Sequence, residues 1–169
     1  MRYIPLLFLL LIPIQATADV GDYYNWMGVS LGKDVMHLNN DEEHFNALTL
    51  SYGYFPKEKG FGAITYLEYA DYEDQNKTGN LWTIGFEPIW KYKFFYVGLG
   101  LSLSDDYTSA TGTKWNFSIP VGVKFDLKKN IFIDANFRHR SHGSKLGIRE
   151  SRDNLGLNIL SLQLGVKFK

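Results

Sequence analysis

The sequence predicts an all-β chain that folds as an eight-stranded antiparallel up-and-down transmembrane β-barrel. Three observations carry this. Apolar and polar residues alternate with period two over eight separate segments. Those segments are about 11–14 residues long, where strands of globular sheets usually have about 5–6. The connections between them alternate long and short along the chain, as they do in membrane barrels.

The chain opens on MRYIPLLFLLLIPIQATADV, with one positive charge at Arg2, an apolar run from Ile4 to Ile14, and small residues at Ala16 and Ala18. That order is the pattern of a secretory signal peptide. Residues 1–18 are therefore expected to be removed and residues 19–169 to form the barrel domain. The apolar core of the leader is too short for a comfortable transmembrane helix. The remainder, about 150 residues, is enough for a single domain.

The eight segments are residues 23–33, 44–55, 60–72, 80–90, 93–104, 113–126, 130–141 and 156–168. The first begins at Tyr23 and Tyr24, and the second closes on Tyr54 and Phe55. The third and fourth carry Glu68 and Glu87 on their polar faces, and Trp90 and Tyr92 mark the end of the fourth. In the fifth, Phe95, Val97, Leu99, Leu101 and Leu103 oppose Tyr96, Gly98, Gly100, Ser102 and Ser104. The sixth sets Trp115, Phe117, Ile119, Val121, Val123 and Phe125 against a polar row containing Asn116, Ser118 and Lys124. The seventh sets Ile131, Ile133, Ala135, Phe137, His139 and Ser141 against Phe132, Asp134, Asn136, Arg138, Arg140 and His142. The eighth sets Asn158, Leu160, Leu162, Leu164, Val166 and Phe168 against Ile159, Ser161, Gln163, Gly165 and Lys167.

Alternation alone fits a soluble sandwich or lipocalin as well as a membrane barrel, because the two differ only in which face meets water. Strand length favours the membrane. So do the aromatics at strand ends (Tyr23, Tyr24, Tyr54, Phe55, Trp90, Tyr92, Trp115, Phe168), which are expected to form interfacial girdles. Small residues and opposite charges on the polar faces suit a narrow lumen, with Glu68, Glu87, Asp134, Arg138 and Arg140 forming a structural ion-pair network.

The expected connections are 34–43, 56–59, 73–79, 91–92, 105–112, 127–129 and 142–155. Outer-membrane barrels pair short periplasmic turns with longer extracellular loops. An even strand count then leaves both termini in the periplasm and brings Ser141 to the outer leaflet. Phe168, next to the chain end, is an aromatic closure common in such barrels.

Eighteen basic and eighteen acidic residues balance, which removes the basic excess expected of a nucleic-acid binder. Cysteine is absent, so an exported chain must be stable without disulfides. No segment after the leader approaches the apolar length of a membrane helix.

The stretch FRHRSHGSK, Phe137 to Lys145, interrupts the apolar row of the seventh segment. His139 and Ser141 continue the lipid-facing face, where a polar group is expensive. Two residues apart on one strand face, they are separated by roughly 6–7 Å along the strand axis. That spacing lets an imidazole reach a hydroxyl, the minimum requirement for a base-activated nucleophile. A third group should orient the imidazole. Asn158 is the polar member of the outward row of the neighbouring eighth segment, while Glu150 and Asp153 in the preceding loop are carboxylate alternatives. The bland reading makes His139 and Ser141 ordinary interfacial polar residues. A metal site at His139 and His142 is disfavoured by their opposite parity, and His37 and His44 are expected to be solvated beside the first loop.

His-x-Ser near the end of the seventh strand (His139 to Ser141), followed by N-L-G-L-N (Asn154 to Asn158), resembles the PagL-type lipid A 3-O-deacylases. These are broadly described as acyloxyacyl hydrolases. The resemblance implies an outer-membrane serine esterase whose site lies on the outer wall of the barrel. It implies removal of the ester-linked 3-hydroxyacyl chain at position 3 of lipid A, without a cofactor or a metal. Carried over, Ser141 is the nucleophile and His139 the general base, with His142 and Gly143 at the oxyanion and binding positions. The family usually has Asn directly after the serine, where this chain has His142. Its orienting acid aligns with Asn158 from the last strand, or with Asp153 by counting forward from the serine.

The expected partners are lipopolysaccharide as substrate and outer-membrane lipids as surroundings, with no nucleic acid. The chain is expected to act as a monomer or as a homodimer. Lys114, Arg138, Arg140, Lys145, Arg149 and Arg152 gather near the outer end, where they can meet lipid A phosphates. The alternative function is a non-enzymatic small barrel used for adhesion or membrane integrity.

Overall fold

Period-two alternation gives each strand one apolar and one polar face, and a sheet of such strands loses its exposed edges only by closing on itself. The computed structural model describes the backbone of residues 23–38, 41–74, 77–106, 114–141 and 156–168, and the side chains of 23–33, 46–70, 82–104, 115–140 and 158–168. The strand segments are β1 (Tyr23–Leu38), β2 (Asp41–Pro56), β3 (Lys59–Asp74), β4 (Lys77–Tyr92), β5 (Phe95–Gly98), β6 (Gly100–Asp106), β7 (Lys114–Lys128), β8 (Ile131–Ser141) and β9 (Gly156–Phe168). Segments β5 and β6 are two parts of one barrel strand. Ile89 pairs with Gly98 and Phe86 with Leu101, so the register against β4 passes Leu99 unchanged. Every neighbouring pair is antiparallel, and β1 meets β9 from Asn25↔Phe168 to His37↔Gly156. The result is a closed eight-stranded barrel.

Three connections differ from the sequence expectation. Residues 34–43 are not mostly loop: β1 and β2 stay paired up to Leu38↔Asp41, and β3 and β4 up to Asp74↔Lys77. His37 and His44 therefore lie in strands rather than beside a long loop. Backbone pairing there continues beyond the stretch in which the alternation marks a strand. The turn expected at 91–92 instead lies at Lys93–Phe94, between Tyr92 and Phe95. Lys93 adopts φ of 54°, as the first central residue of a two-residue primed hairpin requires, without the Gly or Asn that normally announces it. The end of the barrel carrying the connections 57–58, 93–94 and 129–130 is the turn end.

The lumen is filled in layers. Nearest the turn end lies an aromatic plug of Trp26, Phe55, Ile64, Ile89, Tyr96 and Phe132. Phe55 and Tyr24 thus turn inward, Phe55 with no exposure, whereas the sequence reading set both in the interfacial girdle. An aromatic at a strand end looks the same from sequence whichever face it takes. Beyond the plug, the Tyr96 hydroxyl donates to Asp134 at 3.0 Å and accepts from the Asn136 amide at 2.7 Å. Above these sit the buried charges. Arg138 grips Glu87 with two contacts of 2.6 and 2.9 Å, and Arg140 donates to Glu68 at 2.9 Å. The expected ion-pair network is therefore present.

Glycines make room for the large inward rings. Tyr96, Phe132 and Tyr66 pair across strands with Gly122, Gly165 and Gly85, and each ring lies where a side chain on that glycine would stand. Gly122→Val is accordingly expected to destabilise the barrel by about 1–3 kcal/mol through overpacking against Tyr96. A urea unfolding series of the refolded variant measures it, and an unchanged midpoint would remove this role from the glycine.

The outer wall inverts a soluble protein. Met27, Val29, Leu48, Leu50, Phe86, Leu101, Ile119, Val121, Leu162 and Leu164 are all exposed. A continuous apolar belt of this kind needs lipid to cover it. Aromatic pairs mark its edges: Phe61 and Trp90, 4.6 Å apart, toward the turn end, and Tyr69 and Trp82, 4.9 Å apart, toward the other. Along β4, the ten steps from Trp82 to Tyr92 rise about 26 Å at a tilt of about 40°, which matches a belt about 25 Å tall.

Candidate active site

Strand β8 alternates as the sequence requires: Phe132, Asp134, Asn136, Arg138 and Arg140 are buried in the lumen, while Ala135 and Phe137 face outward. His139 falls on the outward face and is half-buried. It lies toward the end opposite the turns. Its register partner on β9 is Asn158, also half-buried in the outward row. Directly paired residues on one face of an antiparallel ladder have Cβ atoms about 5 Å apart, which brings two short polar side chains into contact. His139 Nδ1 lies 2.8 Å from Asn158 Oδ1.

The contact sets which ring nitrogen donates. An amide oxygen can only accept, so Nδ1 is the donor and, in the neutral ring, Nε2 keeps its lone pair. A neutral imidazole held by one nitrogen and free at the other is the state a general base needs. The pair also satisfies itself in lipid, where two unpaired polar groups would each be costly.

Ser141 is the last residue of β8, two positions beyond His139 and of the same parity. Its register partners are Phe117 on β7 and Gly156 on β9. Around the His139–Asn158 pair the wall is apolar, with Phe117, Ile119, Phe137 and Leu160 all exposed. The fold thus brings His139 and Asn158 together and places Ser141 one step along the same row. His142, Gly143, Glu150 and Asp153 lie outside the described residues, as do Lys145, Arg149 and Arg152.

The lumen changes one expectation. Arg138 and Arg140, counted among basic residues available to lipid A phosphates, are buried and committed to Glu87 and Glu68. Lumen-facing parity and burial withhold them from the lipid surface. Tyr66, which the sequence reading did not single out, organises this layer. Its hydroxyl accepts from Arg140 at 3.3 Å, and the Arg138 guanidinium stacks over its ring at 4.1 Å. Its inward parity opposite Gly85 was the available signal.

The family model described as Outer membrane protein beta-barrel domain matches residues 4–168. The chain belongs to that family. Outer-membrane barrels generally carry their short turns at the periplasmic end. No curated protein matches the sequence. Among solved structures, Neisserial surface protein A (NspA) is similar at 18% identity, with a TM-score of 0.62, over 85% of this chain and 97% of that one. Ail of Yersinia pestis, solved with the heparin analogue sucrose octasulfate, is similar at 14% identity and a TM-score of 0.56, over 87% and 99%. The outer membrane enzyme PagL is similar at 13% identity and a TM-score of 0.53, over 82% and 98%. These likenesses are of fold, and they span an enzyme and proteins of other kinds.

Proposed function

We propose that this outer-membrane barrel is a serine esterase that removes the ester-linked 3-hydroxyacyl chain at position 3 of lipid A. The observation that carries the reading is the 2.8 Å contact between His139 Nδ1 and Asn158 Oδ1 on the lipid-facing wall, with Ser141 next in the same row. A polar pair set among exposed Phe117, Ile119, Phe137 and Leu160 has a reason to stand there if its substrate is itself a lipid. The outer rim of the barrel is level with the outer leaflet, where lipopolysaccharide resides.

In the proposed reaction His139 Nε2 takes the proton of the Ser141 hydroxyl as its oxygen attacks the ester carbonyl. The tetrahedral intermediate collapses, and the imidazolium returns the proton to the departing sugar hydroxyl. Water, activated by the same nitrogen, then attacks the acyl-serine and releases a 3-hydroxy fatty acid. Asn158 holds the ring through both halves. An amide stabilises the imidazolium less than a carboxylate does, so the chain trades some rate for a neutral group that costs less beside lipid. Ser141 and His139 are the catalytic residues, and Asn158 is a positioning residue.

Release of 3-hydroxy fatty acid from lipopolysaccharide by the purified, refolded chain tests the reading. Asn158→Ala is expected to lower kcat by about 10–100-fold with KM little changed, because the tautomer and ring orientation are lost. Asn158→Asp is expected to restore most of the rate and to alter its pH profile. Equal rates for all three chains would remove Asn158 from the site. No release by the wild-type chain would overturn the esterase and leave a non-enzymatic barrel, with adhesion or membrane integrity as its role.

A further inference from the structure

The periplasmic mouth of the barrel holds a second feature, independent of the proposed esterase site. The last inward positions before the turns include Tyr24, Lys91, Lys124 and Lys167, and the turns add Lys57, Glu58, Lys93 and Lys129. Together they surround a cavity of about 1090 Å³. It is blind. On the barrel side stand the plug residues, with Lys124 Nζ 3.4 Å from the centre of the Phe132 ring, 4.0 Å from Trp26 and 4.4 Å from Phe55.

Charge in this vestibule is strongly one-sided. Six lysines line it (Lys57, Lys91, Lys93, Lys124, Lys129 and Lys167) against two carboxylates, Glu58 and Asp126. Asp126 is already engaged by Lys167 at 2.6 Å, and Lys91 Nζ donates to the Lys57 carbonyl at 2.8 Å. Lys124 differs from both. It is 4% exposed, and its Nζ has no hydrogen-bond acceptor among the described residues. Aromatic faces attract an ammonium but accept none of its three N–H donors well. The Asp134 carboxylate, its register partner on β8, receives the Tyr96 hydroxyl and makes no hydrogen bond to Nζ. Lys124 thus closes the floor of the cavity from within the plug, and the lysines around the opening leave an excess of positive charge for an anion to balance.

We propose that this vestibule binds a phosphate-bearing ligand. Lysines hold phosphate as point charges, without the fork that favours a planar carboxylate through arginine. An excess of four lysines over carboxylates also fits a ligand carrying more than one negative charge. Phe94, Phe125 and Phe168 border the cavity from the lipid-facing side, so the phosphate can come from a phospholipid headgroup of the inner leaflet as well as from a soluble molecule.

Calorimetric titration of the refolded full chain in uncharged detergent micelles separates the sources. The probes are inorganic pyrophosphate, and short-chain phosphatidylglycerol compared with phosphatidylcholine of equal length. Saturable uptake of pyrophosphate, weakened by added salt and reduced at least about tenfold in the double variant Lys93→Glu and Lys129→Glu, is the expected result for a soluble ligand. Preference for phosphatidylglycerol, removed by the same substitutions, is the expected result for a headgroup. Should that double variant fail to refold, Lys129→Gln alone supplies the same comparison. Absence of saturable binding of either probe up to about 10 mM, or binding indifferent to every lysine substitution, overturns the proposal.

Discussion

Lipopolysaccharide exposed to the Ser141→Ala chain is expected to keep its full set of acyl chains, with a loss of at least about 10⁴-fold in hydrolysis relative to wild type. The magnitude follows from the role. A nucleophile has no substitute in a covalent mechanism, whereas a positioning group only biases a ring that can still sample the productive geometry. His139→Ala is expected to be as severe, and the double variant no worse than either single one, because residues acting as one unit are not additive. Folding should be untouched. Replacing an outward serine at the membrane face by alanine removes a polar group from an apolar wall, which is neutral to favourable in lipid. Loss of activity with intact heat-shifted migration on gels, the mark of a folded barrel, separates chemistry from stability. Full activity in the Ser141→Ala chain would move the nucleophile elsewhere.

Arg138→Met is expected to cost about 3–5 kcal/mol of barrel stability, the largest effect of any single lumen substitution. Arg138 sits between two buried carboxylates, at 2.6 Å from Glu87 and 3.6 Å from Glu68. Without it, Glu87 keeps among the described residues only the Ser118 hydroxyl at 2.9 Å, while Glu68 keeps Arg140. One uncompensated charge then remains in a lumen closed off by packed side chains. Adding Glu87→Gln to Arg138→Met should recover most of the loss, since the pair is removed together and the amide still accepts from Ser118. Urea unfolding of wild type, both singles and the double gives the coupling directly. A single-variant cost below about 1 kcal/mol would mean that water reaches this layer and screens it.

Much of this architecture could be read from alternation, and the parts that could not have physical reasons. The outward rows on β7, β8 and β9 fall where parity sets them, because lipid permits few polar residues and the pattern is therefore strict. Asn158 emerged from the same rule, as the polar residue of an apolar row next to His139, and the two are in contact. At the belt's edges the rule weakens. Phe55 and Tyr24 lie where an aromatic is equally at home on the girdle or in the plug, and packing against Trp26 and Phe132 decided for the lumen. The hairpin at Lys93–Phe94 carries no turn residue, so the strand ends were misplaced by two positions. The expected loop 34–43 lacks the alternation, yet residues 34–38 and 41–43 pair as a ladder. The basic vestibule was invisible for another reason. Lys57, Lys91, Lys124 and Lys167 belong to four different parts of the chain, and only closure of the barrel gathers them.

The central claim is that the polar pair on the lipid-facing wall acts on lipid A. Mass spectrometry of lipid A from cells carrying the wild-type chain, beside cells carrying Ser141→Ala at equal abundance, tests it most directly. The expected result is loss of a single 3-hydroxyacyl mass with the wild-type chain and unmodified lipid A with the variant. Unmodified lipid A in both, from barrels shown to be folded in the outer membrane, would contradict it.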